Sequence, residues 1–100
     1  MDVTINQNEN IYNVILEGRL DTTNANQFQQ DIAPLMSAEN AEITVDCTNM
    51  EYTSSQGLRM FLMLQKSSLA HQSKLTLINM RPQVKEVFDI TGFSNIINIK

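Results

Sequence analysis

Three hydroxyl residues in succession, Thr53, Ser54 and Ser55, stand between two patterns. Before them Ile43, Val45 and Cys47 alternate as in a strand, and after them Leu58, Phe61, Leu62, Gln65 and Leu69 recur as on a helix. A helix start exposes unpaired N–H groups and the positive end of the helix dipole. A hydroxyl there can cap the helix, or carry a phosphate that the same groups stabilise. Thr53 with Gln56 fits a capping box. Asp21 and Asp46 are expected at the C-terminal ends of strands, the rim of an α/β sheet where functional loops gather. A carboxylate on that rim can orient a serine, satisfy loop N–H groups, or repel a phosphate once it is attached. Gly57 falls in the first helical turn, where glycine weakens a helix, so something must approach the backbone closely there.

Catalysis by these residues lacks its other parts. A serine nucleophile needs a base. The single histidine, His71, falls at the far end of the helix, roughly 24 Å away at 1.5 Å per residue. A metal site lacks a cysteine pair, a His-x-x-x-His spacing or a dense acidic cluster. Three glycines are too few for a phosphate-cradling loop. No enzyme is expected. Capping alone and modification by another protein both remain open.

The elements that must position these residues follow from the pattern. Residues 2–7 alternate as a first strand, Gln7-Asn8-Glu9-Asn10 turn, and residues 11–17 form a second strand, an antiparallel hairpin. Gly18 to Asp21 end that strand, and Thr22, Thr23 and Asn24 offer caps for a helix with Ala25, Phe28, Ile32, Leu35 and Met36 on one face. Pro34 should kink this helix or begin a new short turn. After a polar connection, residues 41–47 form a third strand and the hydroxyl loop follows. The second helix runs from Ser54 or Ser55 to His71, and residues 74–79 make a fourth strand. Arg81-Pro82 opens a third helix, with Val84, Val87 and Phe88 buried. Gly92 caps it, and Ile96, Ile97 and Ile99 form a last strand. The expected fold is α/β: one domain over residues 1–100, β-β-α-β-α-β-α-β, with about five strands and about three helices. The sheet is mostly parallel, with an antiparallel first strand at its edge.

Placing Leu58, Phe61, Leu62, Gln65 and Leu69 against the sheet leaves Gln56, Arg59, Met60, Met63 and Ser67 on the other side of the second helix. Methionines exposed near a modifiable serine would make an adaptable partner surface; alternatively a neighbouring helix covers them.

Composition narrows the class. A hydrophobic content of 42% with 18% charged residues suits a globular domain. The formal charge of −4, with seven scattered Lys and Arg, argues against nucleic-acid or anionic-membrane binding. Cys47 is alone, which fits a reducing compartment and a small buried side chain on a central strand. No apolar run spans a membrane and no signal-peptide pattern is present, so a cytoplasmic location is expected.

Four segments together resemble the STAS domain, and more narrowly the bacterial anti-sigma factor antagonists. They are Gly18-Arg19-Leu20-Asp21, Val45-Asp46-Cys47-Thr48, Tyr52 through Arg59, and Thr91-Gly92-Phe93, and the resemblance spans essentially the whole chain. A receiver domain phosphorylated on an aspartate shares the topology, but needs an early acidic pair where Asp21 has only Leu20 and Thr22 beside it. The STAS resemblance implies a partner-switching protein, monomeric when free. Its unmodified form binds an anti-sigma factor that is itself an ATP-dependent serine kinase, and so frees a sigma factor. Phosphorylation releases it, and a metal-dependent phosphatase of the protein phosphatase 2C class reverses the modification. The chain itself needs no cofactor, since ATP and divalent metal belong to those partners. Alignment on Gly57-Leu58 puts the phosphate on Ser55, with Asp21, Asp46, Thr53 and Gly57 around it. Ser54 stands where many members have Asp, which makes it the second candidate. Gln56, Arg59, Met60 and Met63 would meet the partner. The alternative is a STAS scaffold or sensor that binds a partner or small ligand without being phosphorylated.

Overall fold

Alternation decides the strands. In a computed structural model describing residues 1–100, β1 (Asp2–Asn8) and β2 (Ile11–Leu20) form the expected antiparallel hairpin, with Val3 opposite Leu16 and Ile5 opposite Val14. β3 (Glu42–Thr53), β4 (Lys74–Ile78) and β5 (Asn98–Ile99) then add in parallel, giving the order β1-β2-β3-β4-β5. Val14, Leu16, Ile43, Val45, Leu75 and Leu77 turn into one 22-residue core cluster on one sheet face. The opposite face carries Asn13, Ile15, Thr44, Asp46, Thr76 and Ile78, all exposed or half-buried.

The expected first helix is two. α1 (Ala25–Asp31) ends at Ile32, and α2 (Ala33–Met36) starts again with Pro34 in its first turn, where a missing N–H does no harm. Then come α3 (Ser55–Ala70), α4 (Pro82–Ile90) and a single 3₁₀ turn at Phe93–Asn95. Three phenylalanines tie these layers together. Phe61 of α3 stands 5.7 Å from Phe28 of α1 and 5.5 Å from Phe88 of α4, ring centre to ring centre. No helix is long and apolar enough to cross a membrane.

β2 and β3 differ most from expectation. β3 was expected to stop at Cys47 but runs on to Thr53, and β2 runs on to Leu20. β4 pairs with β3 only as far as Asp46 opposite Ile78. Beyond that level β2 and β3 continue together as a ribbon. Its register slips twice, between Ile15 and Glu17 and between Gly18 and Arg19, so that β3 fits extra residues against β2. Gly18 takes φ +104° at the second slip, a conformation that favours glycine. Because of the slips, Cys47, Met50 and Thr53 face inward at every third residue, and the ribbon still buries one side.

Cys47 is fully buried in β3, and burial, reinforced by the neighbouring Asp46 charge, pushes its thiol up to about 12. The folded protein should therefore fail to react with a thiol-exchange reagent at pH 8 and react fully once unfolded in denaturant. Rapid labelling of folded protein would contradict this placement.

Candidate functional site

The ribbon delivers the hydroxyl residues to the start of α3. Leu20 pairs with Thr53 at its tip, and the Ser54 N–H donates to the Leu20 carbonyl at 3.0 Å. Each of the three hydroxyls then has a different position. Thr53 is buried, and its Oγ1 donates to the Ser54 carbonyl at 3.3 Å. Ser54 is the N-cap, extended in backbone, with Oγ accepting from the Gly57 N–H at 3.3 Å. Ser55, the first helical residue, is exposed and its hydroxyl makes no hydrogen bond within the protein. The capping box expected of Thr53 and Gln56 is replaced by this Ser54 cap.

Ser54→Ala should therefore destabilise the fold by about 1 kcal/mol through loss of the cap. Ser55→Ala should leave stability nearly unchanged. Urea titrations of the two variants check this, and equal stabilities would show that the cap contributes nothing.

Gly57 explains itself on the same scale. A Cβ there would lie 2.3 Å from Thr53 Oγ1 and 2.9 Å from Leu20 Cγ. The close approach inferred from the sequence is thus made by the ribbon tip.

The two aspartates share one local motif and lie at different places. Asp21 accepts from the Thr23 N–H at 2.9 Å and from Thr23 Oγ1 at 2.5 Å. These two bonds, the hydroxyl's first, hold its carboxyl below the usual range, and nearby Arg19 adds to the effect. Asp46 does the same with the N–H and hydroxyl of Thr48, at 3.0 and 2.5 Å, and is lowered for the same reason. Asp21 directly follows Leu20, beside the α3 start. Asp46, expected on the same rim, is not there. It sits mid-strand, level with the end of β4, with Asn79 Nδ2 at 3.4 Å. The ribbon from Cys47 to Thr53 lies between Asp46 and Ser55.

The outer face of α3 also differs from expectation. Met60 is only 6% exposed and belongs to the core, and Met63 is partly buried against it. Ser67 donates to the Met36 carbonyl at 2.6 Å. The neighbouring pair α1 and α2 covers this flank. Leu69, expected against the sheet, is 64% exposed, while Gly57, Leu64 and Ser68 are buried in its place. Gln56 is half-buried and Arg59 is exposed. Of the line Ser55, Arg59, Leu62, Lys66 and Leu69, whose spacing of four, three, four and three marks one face, Ser55 and Arg59 are the residues expected at the surface, whereas Leu62 and Leu69 are expected inside and Lys66 is not singled out.

His71 caps the far end of α3 with Nδ1 2.8 Å from the Ser67 carbonyl, remote from Ser55. No group of three or more His, Cys, Asp or Glu side chains is placed to hold a metal ion. What the arrangement offers is one uncommitted hydroxyl on a helix start whose first turn carries no acidic side chain.

Residues 2–100 match the family model of the STAS domain. The chain belongs to the STAS domain family. The anti-sigma-B factor antagonist of Listeria monocytogenes is 30% identical over 87 residues, covering 87% of this STAS domain and 76% of its relative. That of Bacillus subtilis is 29% identical over 99 residues, covering 99% and 90%. The Bacillus anti-sigma factor antagonist SpoIIAA has the same fold at lower identity. Its unphosphorylated form matches with a TM-score of 0.74 at 17% identity, covering 99% of this chain and 87% of that one. Its phosphorylated form matches with 0.73 at 18% identity, covering 99% and 91%. The mixed sheet with one antiparallel edge strand is thus the family's fold.

Proposed function

We propose that this STAS domain is an anti-sigma factor antagonist of a partner-switching pathway, acting in the cytoplasm without a cofactor of its own. The unmodified chain binds an anti-sigma factor that is a serine kinase, and a sigma factor is released. Transfer of phosphate to Ser55 abolishes binding, and a phosphatase of the protein phosphatase 2C class restores it. ATP and divalent metal serve those two partner enzymes. The relatives named as anti-sigma-B factor antagonists support the antagonist role.

One observation carries the choice of residue. Of three adjacent hydroxyls, only that of Ser55 is both exposed and free of hydrogen bonds, while Ser54 is occupied as the cap and Thr53 is buried. A kinase can reach Ser55 without dismantling the helix start. SpoIIAA matches this chain almost equally well in its two forms, which supports a switch that leaves the fold in place.

The test is phosphate transfer. Wild type, Ser55→Ala and Ser54→Ala are incubated with ATP and a candidate anti-sigma factor serine kinase from the same genome, and the phosphate is located by mass spectrometry. Labelling is expected in wild type and Ser54→Ala and absent in Ser55→Ala. Undiminished labelling of Ser55→Ala would move the site, and an unlabelled wild type would favour a scaffold that binds without being modified.

A further inference from the structure

The exposed face of α3 is turned by roughly one residue's step from where its apolar pattern placed it, and it has a chemistry of its own. Arg59 and Lys66 follow Ser55 along the centre of this face, all three exposed. Leu62, half-buried, and Leu69, 64% exposed, form one shoulder. At the foot of that shoulder Gln65 Nε2 donates to the Ile96 carbonyl at 3.0 Å, and Ile96 is itself 50% exposed. The helix has two basic residues and no carboxylate, within a chain of formal charge −4. Neither cation is paired, for the single salt bridge of the molecule joins Lys85 and Asp89 of α4. The result is a positive ridge with an apolar shoulder on an otherwise acidic protein.

We propose that this ridge docks an acidic, apolar-faced surface of the protein partner, and that a phosphate on Ser55 closes it by drawing Arg59 out of that contact. The proposal rests on Ser55 being the modified residue. Charge complementarity selects the occupant. An acidic partner is repelled by the chain as a whole and attracted where two cations stand clear of any carboxylate. Leu69 and Ile96 add apolar area, the kind of surface that a protein partner buries.

The closing step follows from helix geometry. Residues four apart have Cβ atoms about 5–6 Å from each other. Helical side chains lean toward the N-terminus, so Arg59 lies over the turn that begins at Ser55. A phosphate there carries roughly −1.5 to −2 charge, and a guanidinium can hold it by two parallel hydrogen bonds. Arg59 cannot serve the phosphate and a partner carboxylate at once. Modification would therefore both add a repulsive charge and remove an attractive one.

Two measurements test this. Phosphoserine is installed at position 55 during expression, and its ³¹P resonance is titrated in the parent, Arg59→Gln and Lys66→Gln. The second phosphate pKa is expected to be higher in Arg59→Gln than in the other two by roughly 0.3 unit or more. Identical titrations in all three would overturn the capture of Arg59. This measurement uses no kinase, so its result is separate from whether Ser55 is the natural acceptor.

In the second, the unmodified chain is titrated calorimetrically with the candidate serine kinase used for phosphate transfer. Arg59→Glu, Lys66→Glu and Leu69→Asp should each weaken binding about tenfold or more, and Lys74→Glu, on the open sheet face, should not. Unchanged affinity in the three ridge variants would overturn the docking surface. A parent chain that does not bind the kinase would remove the antagonist reading and the docking surface with it.

Discussion

Gly57→Ala is expected to destabilise the protein by about 2 kcal/mol and lower its melting temperature by roughly 10 °C. The sign is the informative part. At an open helical position the same change stabilises by up to about 1 kcal/mol, because alanine is the better helix former. Here the added methyl would meet Thr53 Oγ1 at 2.3 Å and Leu20 Cγ at 2.9 Å. Neither neighbour can yield easily. Thr53 is 2% exposed and stiff at χ1, and Leu20 is fully buried at the ribbon tip. Relief requires α3 to move away from the strands that position Ser55. Thr53→Ala removes the closest atom, so the double variant should lose less stability than the two single losses added together. Denaturant unfolding of the four proteins measures both effects. A stabilised Gly57→Ala would show that the helix start is looser than its packing implies.

That contact was partly legible in the sequence. Glycine in a first helical turn announces a close approach, but not by what. The approaching group is the end of a strand that the pattern stopped six residues too early, at Cys47. Period-two alternation fails beyond Cys47 because two register slips make Met50 and Thr53 the next inward residues. A threefold spacing reads as loop to any rule that expects twofold. The same blind spot put Asp46 on the rim, when its strand was only half finished.

The regular parts were legible for the opposite reason. In the hairpin, in β4 and in α4, one period holds throughout, so the spacing alone marks the buried face. α3 packs on the sheet, on the α1–α2 pair and, through Phe61, on Phe88 of α4, so its buried arc is centred among them. A wheel drawn for one partner therefore turned Leu69 inward and Met60 outward. Only contacts distant in sequence, such as Ser67 to the Met36 carbonyl, show where the α1–α2 pair lies. The break at Pro34 could be foreseen; the place where the resulting pair docks could not.

Ser55→Asp should produce opposite effects on folding and on binding. A negative charge on the first residue of α3 faces the positive end of the helix dipole, and that first turn carries no acid of its own. Such a charge is worth about 0.3–1 kcal/mol, so the variant should be as stable as wild type or slightly more so. At the proposed partner interface the same charge would be desolvated, with Asp21 beside the helix start and, in the proposed docking, acidic partner groups opposite Arg59. Burying an unpaired charge in a complex costs roughly 2–5 kcal/mol, which is about 30-fold to several-thousand-fold in affinity. Ser55→Ala, which adds no charge, should bind the kinase nearly as wild type does. Calorimetric titration with the kinase, paired with thermal unfolding of each variant, separates the two effects. Were Ser55→Asp to lose binding and stability together, the switch would act by unfolding the helix start. Were it to bind as tightly as Ser55→Ala, the helix start would lie outside the interface. Loss of binding by a fully folded Ser55→Asp is the outcome expected of an electrostatic switch, because a helix N-terminus accommodates the added charge and an acidic partner repels it.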